Sequence, residues 1–275
     1  MDTKVTLTSS IPHLQFSSYT KRLYLQHCMT RYAHDEVVPY KDSGLSKKQQ
    51  VTEMFDGIAY RYDFLNSFLS AGIDTTWRRK ALLLLKNDPP RTLLDVATGT
   101  GELAIMASGL LHPRKIIGID ISEGMLEIGR KKLQKLGLED RIELLKGDSE
   151  TINMDSNSFD AVTVAFGVRN FQNLEKGLAE ILRVLCPGGK LIVLEFSKPG
   201  SPFVRIFYNF YMKIIAPLMG KLFSKNHCAY KYLDESIKKF PEGKNFTQIL
   251  DNLGYQNSYS KPLSLGICSI YFAEK

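Results

Sequence analysis

A chain of 275 residues, 44% hydrophobic and 24% charged, is long enough to bury the core of one large α/β domain and has the composition of an ordinary soluble protein. Its four cysteines (Cys28, Cys186, Cys228, Cys268) form no C-x-x-C pair and its five histidines show no ligand spacing, which argues against a disulfide frame, a zinc site or any other metal centre. The formal charge of +7 is confined: Lys198–Lys231 carries six Lys/Arg and no Asp/Glu, while the remainder is nearly neutral, so the pattern speaks against nucleic acid and for a local anionic surface such as a phospholipid bilayer.

Residues 1–28 contain eight Ser/Thr, with Asp2 the one acidic residue and Arg22 the one arginine. Scarce arginine weakens a transit-peptide reading, leaving a disordered extension or an upstream start with Met29 as the working beginning. Residues 30–45 continue polar, with Pro39 and Gly44 as breakers, so a flexible extension is expected over 1–45 and a single domain over 46–275. Ser46 then reads as an N-cap, and Val51, Met54, Phe55, Ile58 and Tyr62 follow at helical spacing. The stretch Tyr60–Trp77 mixes aromatics with Asp63 and Asn66. It suits either a capping helical pair or one wall of a substrate pocket. A second helix is expected from Trp77 to Leu85, before Pro89-Pro90.

The chain is organised around Leu93–Ala104, Leu-Leu-Asp-Val-Ala-Thr-Gly-Thr-Gly-Glu-Leu-Ala, an apolar strand running through a glycine turn into a helix. Gly99 and Gly101 permit backbone angles closed to other residues, and the helix start that follows favours an anion. Gly99-Thr-Gly101-x-x-Ala104 with Asp120 nineteen positions after Gly101 also fits a dinucleotide fingerprint. Asp95, four residues before Gly99, tips the balance. A carboxylate there repels a pyrophosphate but suits an ammonium-bearing ligand, so S-adenosylmethionine is favoured, with its carboxylate on the helix amides and its ribose on Asp120.

Strands and helices then alternate as a doubly wound sheet requires. A helix over Ser122–Gly137 precedes strands at Arg141–Ser149 and Phe159–Phe166; a helix over Leu174–Leu185 precedes a fifth strand, Lys190–Phe196. Asp95, Asp120, Asp148, Arg169, Asn170 and Glu195 gather where these strands end, the edge at which open α/β sheets bind ligands. Asp148 and Ser149 are placed to meet an adenine. Over 201–224, Phe203, Phe207, Phe210, Ile214 and Leu218 recur every three or four residues, with Arg205, Asn209 and Lys213 on another face. Charges and Pro217 make a spanning helix a poor fit. A lid over an apolar substrate or a helix lying on a membrane fits better. A helix near Phe246–Leu253 and strands at Tyr255–Ser260 and Gly266–Glu274 complete the sheet antiparallel.

These residues resemble the ubiquinone/menaquinone-biosynthesis C-methyltransferase family over roughly 45–275. The likeness rests on Tyr62-Asp63-x-x-Asn66-x-x-x-Ser70-x-Gly72-x-x-x-x-Trp77, on Asp95-x-x-x-Gly99-Thr100-Gly101, on Phe166-Gly-Val-Arg169-Asn170, and on Arg183-Val-Leu-x-Pro187-Gly-Gly189 followed by Leu194-Glu195-Phe196. The glycine loop is common to class I methyltransferases, whereas the other three stretches together are specific. Two positions depart: Cys186 replaces a common lysine, and Asp74 stands where several ubiquinone-pathway members carry histidine, which tilts the reading to menaquinone.

The resemblance implies a class I S-adenosylmethionine-dependent methyltransferase. Its fold is α/β, a Rossmann-like doubly wound sheet, mostly parallel with an antiparallel last strand, with added N-terminal helices and a helical lid. It implies methylation of a ring carbon of a polyprenylated demethylmenaquinol, with Asp95, Gly99, Thr100, Gly101, Asp120, Asp148 and Ser149 holding the cofactor. The basic insertion at 198–231 then faces anionic lipid at the inner face of a bacterial cell membrane, and homo-oligomerisation is left open. Removing a quinol proton makes the adjacent ring carbon nucleophilic. Tyr62, Asp63, Arg169 and Asn170 are the candidates for that step, Arg169 steadying the phenolate and Asp63 serving as base or orienting Arg169. A dual ubiquinone/menaquinone enzyme, a methyltransferase of another lipid or phenol, a non-catalytic scaffold and a nucleotide-dependent oxidoreductase are the alternatives.

Overall fold

The computed structural model describes residues 32–70, 72–200 and 227–275, with backbone alone for 64–69, 227 and 230. The helix expected over 201–224 therefore lies outside the described residues. In chain order the elements are α1 (Lys47–Leu69), α2 (Ile73–Leu82), β1 (Thr92–Val96), α3 (Glu102–Leu111), β2 (Lys115–Asp120), α4 (Glu123–Leu136), β3 (Ile142–Lys146), β4 (Phe159–Ala165), α5 (Leu174–Val184), β5 (Leu185–Phe196), α6 (His227–Lys239), α7 (Lys244–Leu253), β6 (Gln256–Leu263) and β7 (Cys268–Glu274). Short 3₁₀ turns follow α2, β4 and β6.

The strands form one sheet of order β3-β2-β1-β4-β5-β7-β6. Pairs β1–β2, β1–β4, β2–β3 and β4–β5 are parallel, and β7 runs antiparallel to both β5 and β6. Chain order reverses between β1 and β4, which opens a crevice at their carboxyl ends. Strands buried on both faces read as continuous apolar runs, and side chains alternate between two cores. Leu94, Val162, Val193 and Tyr271 face α5 and α7, whereas Leu93, Ala161, Ile192 and Ile270 face α2, α3 and α4. Phe246 and Tyr271 are fully buried with ring centroids 4.6 Å apart, each such side chain contributing about 1.5–3 kcal/mol.

Local signals set the helix ends. Ser46 and Gln49 form a reciprocal capping box: Gln49 N–H donates to Ser46 Oγ at 3.3 Å and Ser46 N–H to Gln49 Oε1 at 3.0 Å. Ser122 caps α4 by accepting from Met125 N–H, and Gly137 ends it in the left-handed region.

Two regions differ from expectation. Residues 32–45 lack helix or strand but are anchored, where the sequence suggested flexibility throughout 1–45: His34 and Val37 are buried, and Lys47 Nζ donates to His34 O (2.7 Å) and Arg169 O (3.4 Å). Burial and Lys47 hold the His34 imidazole down at about 3, so it sits there neutral. Tyr40 N–H donates to Gln50 Oε1, an anchor that a polar sequence does not advertise. Secondly, the basic stretch does not run free to Lys231. Residues 227–231 open α6, whose Tyr232 packs with Val37, Val51 and Met54.

Gly129 of α4 marks how tightly the helix lies on the glycine loop. A Cβ there would stand 3.1 Å from Thr100 C and O and 2.6 Å from Leu144 Cδ1. Gly129→Ala is expected to cost about 1–3 kcal/mol by overpacking, read as a lower urea midpoint. An unchanged midpoint would show that the loop and helix separate freely.

Candidate functional site

The crevice at the β1/β4 switch point is an open cleft of ≈ 660 Å³, its solvent mouth included, lined by Gly99, Asp120, Asp148, Ser149, Phe166 and Asn170 from the sheet edge. Helix α1 covers it with Lys48, Val51, Phe55 and Tyr62, which lie along one helix face. Two β-strand exits depart from ordinary backbone geometry: Ala97 (φ 54°) and Phe166 (φ 57°) are left-handed without being glycine, strain of the kind that gathers at working sites.

The glycine loop is tied to the next strand. Gly99 N–H donates to Asp120 Oδ2 at 2.8 Å, and Ser122 N–H to Asp120 Oδ1 at 2.9 Å. Gly101 (φ 80°) turns the chain into α3, whose first-turn amides have no intrahelical acceptors. Asp95 lies beneath the loop, 1% exposed, accepting from Thr98 Oγ1 (2.6 Å) and Thr163 Oγ1 (2.7 Å). Burial pushes both Asp95 and Asp120 up to about 6, against the hydrogen bonds that favour their ionised forms. A folded value above the unfolded one means that stability is full below pH ~4 and is lost as pH rises through about 6. Ionising these carboxylates thus costs the empty protein stability, as expected of groups kept for a ligand.

Thr100 is buried and donates to Asp63 Oδ1 at 2.6 Å. Lys132 Nζ holds Asp63 Oδ2 at 2.6 Å. Asp63 therefore braces the glycine loop, and the expectation that it orients Arg169 is corrected. Arg169 is oriented instead by Glu195, Nη1 to Oε1 at 2.5 Å, and donates to Phe166 O at 2.7 Å. Burial opposes the Arg169 charge, but Glu195, Tyr62 and Tyr232 together outweigh it, so the guanidinium titrates above its ordinary value. Asn170 lines the cleft and its Oδ1 accepts from Tyr232 O–H at 3.0 Å. Asp148, at the mouth, is paired with Lys48 Nζ at 2.5 Å.

Below the cleft two cations sandwich two rings. Arg78 stands 5.5 Å over Phe166, whose ring centroid is 4.6 Å from that of Phe196, and Arg169 stands 5.4 Å over Phe196. Asp74 pairs with Arg78 and accepts from Ser70 Oγ at 2.6 Å.

The chain matches the ubiE/COQ5 methyltransferase family over residues 44–275. It is 45% identical over 244 residues to a demethylmenaquinone methyltransferase of Bacteroides fragilis, covering 89% of this chain and 99% of that protein. It is 42% identical over 230 residues to a ubiquinone/menaquinone biosynthesis C-methyltransferase of Geotalea daltonii, covering 83% and 97%. The chain belongs to the ubiE/COQ5 methyltransferase family. Its fold is that of solved S-adenosylmethionine-dependent methyltransferases. One from Thermotoga maritima superposes with TM-score 0.56 at 20% identity, covering 82% of this chain and 99% of that one. The [4+2]-cyclase SpnF reaches TM-score 0.56 at 17% identity, covering 83% and 96%, so the fold alone does not name a reaction.

For this ubiE/COQ5 family member, the structure brings Gly99, Asp120, Asp148, Ser149, Tyr62 and Asn170 to one cleft. Asp95, Thr100 and Gly101 sit in or under the loop, and Asp63 braces it. Lys48 and Tyr232 are neighbours of these residues that sequence reasoning missed, whereas Glu195 was seen at a strand end but not as the partner of Arg169. Lys48 had a signal: a lysine three residues before Val51 on an otherwise apolar helix face. Tyr232 had none, because the basic bias around it masked its helical pattern.

Removing one partner of the buried Arg169–Glu195 pair should cost about 3–5 kcal/mol. We expect Arg169→Ala and Glu195→Ala each to unfold at lower urea, and Arg169→Met/Glu195→Leu to recover most of the loss. Near-native midpoints for the single variants would mean that water screens the pair.

Proposed function

We propose that this chain transfers the methyl group of S-adenosylmethionine to a ring carbon of a polyprenylated demethylmenaquinol, giving menaquinol. The observation that carries the reading is the near full-length identity to proteins named demethylmenaquinone methyltransferase, supported by a cleft whose donors and acceptors suit the cofactor. Asp120, half-buried and held by two N–H groups at the end of β2, would accept ribose hydroxyls, and Asp148 and Ser149 at the same cleft would meet an adenine. Gly99 carries no side chain where the ligand approaches the loop, and the first-turn amides of α3 suit the amino-acid carboxylate. Asp95 and Thr100 shape the loop from beneath.

The donor supplies an already activated sulfonium methyl. The protein must supply a nucleophilic carbon and alignment, the latter worth about 7–11 kcal/mol at best. Arg169 retains a buried donor, Nε, with no hydrogen-bond partner among the described residues. A developing phenolate oxygen would satisfy it and be stabilised by the charge. Asn170, fixed by Tyr232, and Tyr62 hold the acceptor hydroxyl or a water that carries its proton away. With Asp63 committed to Thr100 and Lys132, we assign it to the glycine loop, so that the proton leaves to water held by Tyr62 and Asn170.

A dual ubiquinone/menaquinone enzyme is the second reading, favoured by the Geotalea relative's name. Asp74 bears on the choice because it sets the partner of Arg78, the cation over Phe166 at the cleft wall. The reading also places the protein on the inner face of the cell membrane. No described helix is long and apolar enough to cross one, and the basic run 198–231 suits contact with an anionic surface.

Labelled S-adenosylmethionine should methylate a chemically reduced demethylmenaquinol and leave a benzoquinol analogue unlabelled. Label in both acceptors would establish the dual enzyme. Cofactor binding with label in neither would overturn the acceptor.

A further inference from the structure

The 3₁₀ turn between β6 and β7 violates two local preferences at once. Ser264 (φ 45°), Leu265 (φ 59°) and Gly266 (φ 92°) are three consecutive residues in the left-handed region, and only the third is glycine. Leu265 is also 76% exposed, the second most exposed large hydrophobic side chain of the described residues. Left-handed backbone at a branched apolar residue is uncommon, and an exposed leucine gains nothing from folding. Such a conformation persists when its surroundings over-determine it.

Here they do. The indole Nε1–H of buried Trp77 donates to Ser264 Oγ at 2.8 Å, Ser197 Oγ donates to Gly266 O at 2.8 Å, and Ser197 N–H donates to Ile267 O at 2.9 Å. Trp77 in turn packs against Phe166 and Phe196 at 6.4 and 6.2 Å, so the turn is fixed to the aromatic floor of the cleft. The leucine is thus held out rigidly. Ile73, one turn before Trp77 on α2, is 45% exposed.

The surroundings are basic. A Cβ on Gly266 would stand 3.4 Å from Pro199 Cα and 3.7 Å from Lys198 O. Lys198 is exposed, with Glu242 its carboxylate neighbour at 3.5 Å, and Lys261 on β6 is exposed. An apolar tip flanked by exposed lysines is the chemistry of a surface that meets acidic headgroups and inserts a side chain between them.

We propose that the Ser264–Leu265–Gly266 turn is the point at which this protein enters an anionic bilayer, Leu265 inserting while the neighbouring lysines meet the headgroups. This rests on the lipid-dissolved substrate of the proposed function, and it sets the cleft floor, through Trp77, against the membrane that stores that substrate.

Leu265→Asn is the informative variant, because asparagine tolerates left-handed backbone and removes the apolar tip. The full chain should co-sediment with vesicles of equal parts phosphatidylglycerol and phosphatidylcholine, and far less with phosphatidylcholine alone. Leu265→Asn should lower that partition roughly tenfold, the loss expected from one inserted leucine. Its thermal midpoint should stay at or above the parent's, and its turnover on a short-tailed, water-soluble acceptor should be unchanged. Equal partition of the two proteins would overturn the proposal. So would absence of vesicle binding by the parent chain, and methyl transfer to the short-tailed acceptor would then show that the methyltransferase reading stands without it.

Discussion

The hydrogen bond from Gly99 N–H to the Asp120 carboxylate, 2.8 Å long, joins the glycine loop after β1 to the end of β2. Much of the site follows from it. The loop can fold back because Gly99 and Gly101 accept left-handed angles, and α3 then starts with its free amides beside the cleft. The arrangement costs stability. Asp95, buried beneath the loop, and Asp120, half-buried at its rim, are both pushed up to about 6 by desolvation. A protein selected for stability alone would not desolvate two acids about one loop, and a ligand with hydroxyl donors offsets that cost when it binds.

The β4 side of the cleft depends on a second constraint, the layered arrangement Arg78–Phe166–Phe196–Arg169. Glu195 neutralises and aims Arg169 from the end of β5, and Asp74 does the same for Arg78 from α2. Each cation is therefore bonded on one side and stacked on the other, which leaves it little freedom. Arg169 Nε is buried and still unbonded among the described residues. Helix α1 then closes the site from above: Asp63 reaches the loop through Thr100, Lys48 reaches Asp148, and Tyr62 lies within 4.0 Å of where a Gly99 Cβ would stand. With Lys47 Nζ also donating to Arg169 O at 3.4 Å, one helix ties the glycine loop to the arginine layer.

Much of this was legible in the sequence because the determining signals are local. An apolar strand, two glycines and an acid at the next strand end announce the loop, and the carboxyl-end residues could be placed once strands and helices alternate. Long-range pairings were not legible. Nothing in sequence says that Asp63 turns to Thr100 and Lys132 and not to Arg169, since both lie far along the chain and three-dimensional packing decides between them. Glu195 was visible at a strand end, but its pairing with Arg169 depends on the β4–β5 register. The anchoring of residues 32–45 was hidden for a related reason: backbone carbonyls held by the buried Lys47 leave no compositional trace.

The central claim is that ionised Asp120 grips the cofactor. Titration calorimetry with S-adenosylmethionine between pH 7 and pH 5 tests it most directly. The burial-raised carboxyl predicts that affinity falls below about pH 6, approaching tenfold per pH unit. In Asp120→Asn, binding should be weak and flat across that window. Affinity of the parent protein that is flat from pH 7 to 5, or an inflection that survives in Asp120→Asn, would contradict the account and move the ligand-linked proton elsewhere.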